Sequence, residues 1–457
     1  MLALAFESAW RSILKTPGVS VLVVLAIALG VGITMPMVAL YENNSGNPIP
    51  DISDDLYRVS VDNWKLEEPF HSRFPDMPTE ILNARDTRAL ISSDIPSDYT
   101  ASYTLNAWVR NTDNQTKSKP FYSAIRVTNN GFFRMFDVPM AYGSYWSDQQ
   151  GEDRSNVAVI SRMTNVRLFG GGDSVGQTFK LGNEIYTVTG VVADWSPTPR
   201  VYDLSQSNGR PEGIYVPLSN FSRTELKPDL RWQVSNNNAP SEFDTTFLNS
   251  ETIFVTLWVK LNSAADATAY LDFIDSYVLE QKKLGRLERP LNNRLDSATV
   301  WLEIAPSHLG TKQLYRVFVI VGVLFLMVCL FNLLSLLLGK FMSVTPEACV
   351  VRALGASRLM IFSQYVIEVV LLGIIGGIIS LGIAKAGLEG MLWIYLENIP
   401  PEFKLIASPD GESAYTRFDG KLLLTSLMLA ITAAVLCALY PAWRACRIPP
   451  AEYLKMN

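Results

Sequence analysis

Thr345-Pro346-Glu347-Ala348-Cys349-Val350-Val351-Arg352-Ala353-Leu354-Gly355-Ala356-Ser357-Arg358 separates two apolar runs, Val317 to Leu338 and Ile361 to Ala384. Each run is long enough to cross a bilayer. A short basic segment between two spans belongs on the cytoplasmic side, because Lys and Arg resist translocation. Lys340, Arg352 and Arg358 supply that charge. Pro346 followed at once by Glu347 suits the first turn of a short helix, and Gly355 suits its end. On the residues alone, an ordinary intracellular loop fits equally well.

Outward from this stretch, the 48% of hydrophobic residues gather in four runs, near 19–40, 317–338, 361–384 and 422–440. The middle of the chain reads as a folded globular domain. These patterns predict an α-helical membrane protein with four transmembrane helices and a large mixed α+β extracytoplasmic domain between the first and second. The expected order is an amphipathic helix over 1–17, a first span over 18–40 and the large domain over 41–316. A second span over 317–340, a cytoplasmic segment over 341–360 and a third span over 361–388 follow. A short outer loop over 389–421, a fourth span over 422–441 and a tail over 442–457 complete the chain. The net charge of -5 and the lack of a long basic tract give no sign of nucleic-acid binding.

Val19 to Leu40 is too long for a signal-peptide core and has no small-residue cleavage site after it, so it reads as a retained anchor. Before it, Phe6, Trp10, Ile13 and Leu14 share a helical face, with Glu7, Arg11 and Lys15 largely opposite. That pattern suits a helix lying along the membrane surface, broken by Pro17-Gly18. Cys329, Cys349, Cys437 and Cys446 all fall in spans or cytoplasmic parts. The outer domain therefore has no disulfides, and its compartment can be oxidising. His71 and His308 belong to no metal or nucleophile pattern and read as ordinary surface or packing residues.

Within the large domain, Leu56 to Val61, Ala158 to Ile160, and Thr178 to Leu181 with Glu184 to Val188 read as strands. The last two flank Gly182-Asn183, a two-residue hairpin turn. Val166 to Phe169 belongs to a helix. Ser263 to Asp266 opens another, with Leu271, Ile274 and Val278 on one face. Thr299 to Ile304 is expected to return as a strand. Gly171 to Thr178 nearly fits a phosphate loop, but Gln177 stands where lysine must hold the terminal phosphates, and a turn is the better reading. Ser196 to Asn249, rich in Pro, Asn and Ser, reads as an inserted lobe and a candidate partner site. In the spans, Asn332 and Ser335 can bond to neighbouring helices. Glu368 is a lone intramembrane acid with either a functional or a structural role, and Gly373, Gly376 and Gly377 permit close helix contact, within the chain or with another subunit.

The run Glu347 to Arg358 resembles the cytoplasmic coupling segment of the FtsX/MacB superfamily of ABC-transporter permeases. It departs at Val351, where many relatives carry a second basic residue. Val127-Thr128-Asn129-Asn130-Gly131-Phe132-Phe133, Phe136-Asp137-Val138-Pro139, Asn156 to Ser161, Leu168-Phe169-Gly170, Asp173 to Thr178 and Val188 to Val192 are similar to the MacB-type periplasmic core domain. Pro441 with Arg444, Arg447 and Pro449-Pro450 resembles the superfamily's closing motif. The likeness covers about two thirds of the chain.

The resemblance implies a permease subunit in the bacterial inner membrane, with both termini cytoplasmic. Closure of a separate ATPase dimer, which would hold the ATP and Mg, would act on Glu347, Arg352, Ala353, Leu354, Gly355, Ala356, Ser357 and Arg358. The spans would pass that movement to the outer domain, with no cofactor on this chain itself. The implied cargo is a peptide, lipoprotein or hydrophobic compound, exported or extracted. Implied partners are the ATPase, a second copy or a related permease, membrane lipids, and a periplasmic adaptor or outer-membrane channel. The alternative is an FtsX-like regulator of a periplasmic cell-wall hydrolase. The outer domain's size and MacB-like core favour the first, and the coupling motif argues against a sensor lacking any ATPase.

Overall fold

A computed structural model describes residues 2–112, 119–206, 212–222, 248–397 and 420–447. In chain order, helix α1 is Leu2–Lys15 and α2 is Pro17–Ser45. Then come β1 (Leu56–Ser60), β2 (Leu82–Asn83), α3 (Ala84–Leu90), β3 (Asp98–Asn111), β4 (Phe121–Thr128), α4 (Gly131–Met135) and β5 (Met140–Gly143). They are followed by α5 (Asp148–Glu152), β6 (Val157–Ser161), α6 (Arg162–Phe169), β7 (Thr178–Leu181), β8 (Glu184–Val192) and β9 (Ile214–Pro217). The domain continues with β10 (Ile253–Lys260), α7 (Ala264–Lys283), β11 (Arg294–Ser297) and α8 (Ala298–Ile304). Three long helices close the chain: α9 (Pro306–Ala353), α10 (Arg358–Glu397) and α11 (Gly420–Arg447). The described residues form two compact units, 45–311 and the helical remainder.

The helical unit contains four helices long and apolar enough to cross a membrane, over Pro17–Glu42, Lys312–Ala353, Arg358–Met391 and Leu423–Arg447. Between lipid-soluble helices there is little hydrophobic drive, so close backbone approach does the packing. A Cβ on Gly376 would come within 2.9 Å of the Ile27 side chain on α2, while Gly373 and Gly377 face Ile431, Ala434, Leu427 and Ala430 on α11. The glycine contacts of α10 thus lie within this chain. Thr34 donates to the Gly322 carbonyl at 2.9 Å and so joins α2 to α9. Pro17 stands at the first position of α2, where its missing N–H costs nothing.

Helix α1 has three stripes rather than two. Ala9 and Ser12 are buried, Trp10 and Leu14 are exposed, and Glu7, Arg11 and Lys15 form the charged side. Ala9 and Ser12 pack inward with Ile13 half-buried against the helical core, which leaves Trp10 and Leu14 outside.

The other unit is a mixed eleven-stranded sheet in the order β11-β1-β10-β3-β4-β9-β6-β8-β5, with β2 beside β10 and β7 beside β3 and β8. Pairs β4–β9 and β6–β8 are parallel, and the remaining neighbours antiparallel. Strand alternation sorts its residues onto two faces. Leu257 and Val259 enter an aliphatic layer covered by Tyr270, Ile274 and Val278 of α7. Trp258 points into an aromatic layer with Phe132, Phe133, Tyr202, Tyr215 and Trp301.

The hairpin at Gly182 forms as expected, with φ 58° at the glycine. Two expectations are corrected. Thr299 to Ile304 is helical, because the Ser297 hydroxyl accepts the Val300 N–H and starts α8; the returning strand is Arg294–Ser297. Along α7, Tyr270 rather than Leu271 completes the buried stripe, its hydroxyl donating to the Leu90 carbonyl at 3.1 Å. His71 pairs with Glu80 at 2.7 Å; the His308 side chain lies outside the described residues. So do residues 207–211 and 223–247 of the expected inserted lobe, and 398–419 of the outer loop.

Arg126 and Arg58 are buried in the aromatic layer, and a third buried arginine, Arg200, also reaches Glu212 at 3.6 Å. Arg126 reaches Glu212 at 2.6 Å, Asp203 at 3.0 Å and the Ser102 hydroxyl at 2.9 Å, with its guanidinium over the Tyr202 ring. Burial alone would lower its pKa, but Glu212 and Asp203 reverse this and raise it above the usual guanidinium value. Arg58 has no such carboxylate in contact. It lies over Trp258 and Trp301 and donates to the Glu80 carbonyl, and burial brings its pKa down to about 10. It still carries its proton at neutral pH.

Replacing Arg126 with Met would remove the closest cation from Asp203 and leave Glu212 to Arg200 and the Tyr202 hydroxyl, and should cost about 3 kcal/mol. Arg134→Met, which breaks the half-exposed Arg134–Asp98 pair, should cost at most about 1 kcal/mol. Denaturant unfolding of the full chain, followed by tryptophan fluorescence, checks the contrast.

Candidate functional site

The turn between α9 and α10 follows from two capping rules. The Ala356 N–H bonds the Val351 carbonyl at 3.2 Å and the Gly355 N–H bonds that of Arg352 at 3.1 Å. Gly355 holds φ at 107°, as this helix stop requires. Two residues later the Ser357 hydroxyl accepts the Met360 N–H at 3.2 Å and starts α10. Leu354-Gly355-Ala356-Ser357 therefore encodes a stop and a start within four residues. One helix ends and its antiparallel neighbour begins almost without a loop.

The expected short helix opening at Pro346 is not separate. Pro346 lies inside α9, a helix of 48 residues. Continuing a formed helix is cheaper than nucleating a new one. Back bonds from Ser343 to the Lys340 carbonyl and from Thr345 to that of Phe341 (2.7 and 2.8 Å) occupy acceptors around the proline.

What the turn presents is apolar. Leu354 is 84% exposed and Leu359 74%, with Val350, Val351 and Met360 also open. Ala353, Ser357 and Arg358 are exposed as well, and Ala356 is half-buried. Exposed clusters of large apolar side chains are the usual mark of contact with a protein or a membrane. Arg352 is directed differently: it donates to the Cys446 carbonyl at 3.2 Å and caps the last turn of α11. Glu347 pairs with Lys15 of α1 at 2.8 Å; both are well exposed, so the pair adds little stability.

Lys340, counted above among the charges of the basic segment, is buried. Its ammonium meets Glu368 at 2.5 Å, with both side chains fully buried, and donates to the Ser20 hydroxyl at 2.7 Å. The sequence held a signal for this. Lys340 and Glu368 stand fifteen and thirteen residues either side of Gly355, so a tight hairpin places them opposite each other. Asn332 and Ser335 form no bond to another helix among the described residues. Asn332 is exposed, and Ser335 bonds the Phe331 carbonyl of its own helix at 3.1 Å.

The MacB-like periplasmic core domain profile matches residues 20–276, more than half of the chain, and the FtsX-like permease C-terminal profile matches residues 319–450. The chain belongs to the FtsX/MacB-type permease family. Among curated proteins it is similar to the pyoverdine export ATP-binding/permease protein PvdT of Pseudomonas entomophila (strain L48). That likeness is 23% identity over 338 residues, covering 74% of this chain and 43% of that protein. It is also similar to the macrolide export ATP-binding/permease protein MacB of Syntrophobacter fumaroxidans, with 22% identity over 362 residues, 73% of this chain and 47% of that protein. The chain thus spans less than half the length of these relatives. The periplasmic region of MacB from Actinobacillus actinomycetemcomitans aligns with 12% identity and a TM-score of 0.35, over 55% of this chain and 92% of that one. The extracellular domain of YknZ from Gram-positive bacteria aligns with 14% identity and a TM-score of 0.33, over 52% and 98%.

Gly355→Ala forces a Cβ into left-handed backbone and Ser357→Ala removes the cap; each should cost about 1 kcal/mol locally. Hydrogen exchange of amides 354–360 should accelerate in both variants while the sheet amides stay unchanged.

Proposed function

We propose that this chain is the permease subunit of a bacterial ABC transporter, in which an ATPase docks on the α9–α10 turn. The observation that carries the reading is the exposed apolar cluster of Leu354, Leu359, Met360, Val350 and Val351 at the turn between α9 and α10. A soluble ATPase can bury these groups, and the double cap keeps the turn from yielding under load. Movement of the turn then passes along α9, which is helical without a break from Pro306 to Ala353. A stiff helix carries displacement with little loss, so closure of the ATPase pair can do work on the α+β domain.

In this reading the membrane is the bacterial inner membrane and both termini are cytoplasmic. The turn's Arg352 and Arg358, with Arg444 and Arg447 ending the fourth span, then all face the cytoplasm. The 457 residues contain no phosphate loop with its lysine, and in this reading the ATP and Mg sites lie on an ATPase outside them. A second copy or a related permease completes the pair. The names of the curated relatives support export, and the proposed cargo is a peptide, lipoprotein or hydrophobic compound taken up at the α+β domain. An adaptor or outer-membrane channel would extend the route.

Leu354→Asp places a charge at the centre of the docking surface without touching the helix caps. It should abolish transporter-dependent growth or export in cells and reduce bound ATPase at least about tenfold, at normal expression. Gly355→Asp adds backbone strain to the same effect. Unchanged function in Leu354→Asp would count directly against docking at this turn.

A further inference from the structure

The buried pair Lys340–Glu368 is not explained by stability alone. Taking two charges out of water costs as much as their attraction returns, and apolar residues of similar volume fill such sites equally well. The carboxylate is also thinly satisfied: apart from the Lys340 ammonium, neither Glu368 oxygen accepts a hydrogen bond among the described residues. Directional polar contacts of this kind select one register of packed helices where apolar contacts would allow several.

Its position says which register. Lys340 lies about 20 Å along α9 from the turn and Glu368 about 15 Å along α10, at 1.5 Å per residue. The pair is therefore a cross-brace between the two arms of the hairpin. Its third member, Ser20, stands in the first turn of α2, and the Ser20 hydroxyl also lies 3.3 Å from the Ile13 carbonyl of α1. One ammonium thus links α9, α10, the start of α2 and, through Ser20, the end of α1. A second polar tie between α1 and α9, Lys15–Glu347, is solvent-exposed and weak, while Ile13 and its neighbours pack α1 against the helical core through apolar contacts that fix no register.

We infer that Lys340, Glu368 and Ser20 form a membrane-buried positioning triad that locks the N-terminal helix and the α9–α10 turn into one block. This deepens the proposed function, since the block contains the surface assigned to the ATPase. Load applied at the turn would move α1 with it instead of bending the hairpin. Phe341 and Tyr365, each adjacent to a member of the brace in sequence or helix turn, stack at 4.3 Å and hold α9 against α10 without any charge. The helices can therefore stay packed when the ion pair is replaced.

The test uses the full chain in lipid nanodiscs, with spin labels placed at Leu14 and Val350 through a ketone-bearing amino acid. Both sites are exposed and lie close in sequence to the Lys15–Glu347 pair. The double variant Lys340→Met/Glu368→Leu leaves no unpaired charge. It should melt within about 3 °C of the parent while its 14–350 distance distribution becomes about twice as broad. Glu347→Gln, which cuts only the surface tie, should leave the distribution narrow. A double variant as stable and as narrow as the parent would overturn the inference. So would one that loses its fold, since the pair would then be a stability element and not a register device. The distance readout needs no ATPase, so a failure of the docking reading is seen separately, as retained function in Leu354→Asp.

Discussion

A lysine and a glutamate carried by adjacent membrane helices cannot stay apart in hydrocarbon, where an isolated charge is too costly to keep. Once α9 and α10 are joined by a four-residue turn, Lys340 and Glu368 have one arrangement that satisfies both, and it aligns the hairpin. The close approaches of Gly376 to α2 and of Gly373 and Gly377 to α11 then add the remaining helices around it. The α9–α10 tip projects from this fixed base, and its exposed Leu354 and Leu359 are held where a partner can meet them.

The α+β domain solves a related problem with different chemistry. Its sheet separates a mainly aliphatic layer from an aromatic one; Asp86, held by Arg286 and Tyr277, is buried beside the first, and the buried arginines lie in the second. Arg126 is matched by Glu212 and Asp203, which stand on either side of the 207–211 segment, so the network fastens both flanks of that excursion to β4. Arg58 relies instead on two indole faces and a backbone carbonyl. Both arginines are buried among rings that tolerate a cation, consistent with the attraction between a guanidinium and an aromatic face.

Much of this was legible in the sequence because it depends on local rules. Four long apolar runs give four membrane helices, Gly182-Asn183 gives a hairpin, and Gly355 gives a helix end. What the sequence concealed depends on competition between neighbours. Pro346 looked like a helix start, but α9 simply continued through it. Thr299 to Ile304 has the composition of a strand, yet the Ser297 cap turned it into a helix. A count of basic-segment charges includes Lys340 but ignores which residues the turn brings together, and so misses its pairing with Glu368. The Arg352 contact with the Cys446 carbonyl of α11 joins residues ninety-four apart, which no local pattern reveals.

The α9–α10 turn is proposed as the docking point of an ATPase. Affinity purification of the chain from its native membranes in mild detergent, with every accompanying chain identified and counted, tests it most directly. The account predicts a phosphate-loop ATPase at a stoichiometric ratio to this chain. Recovery of the chain without any ATPase, under conditions that keep a known ABC complex intact, would contradict it.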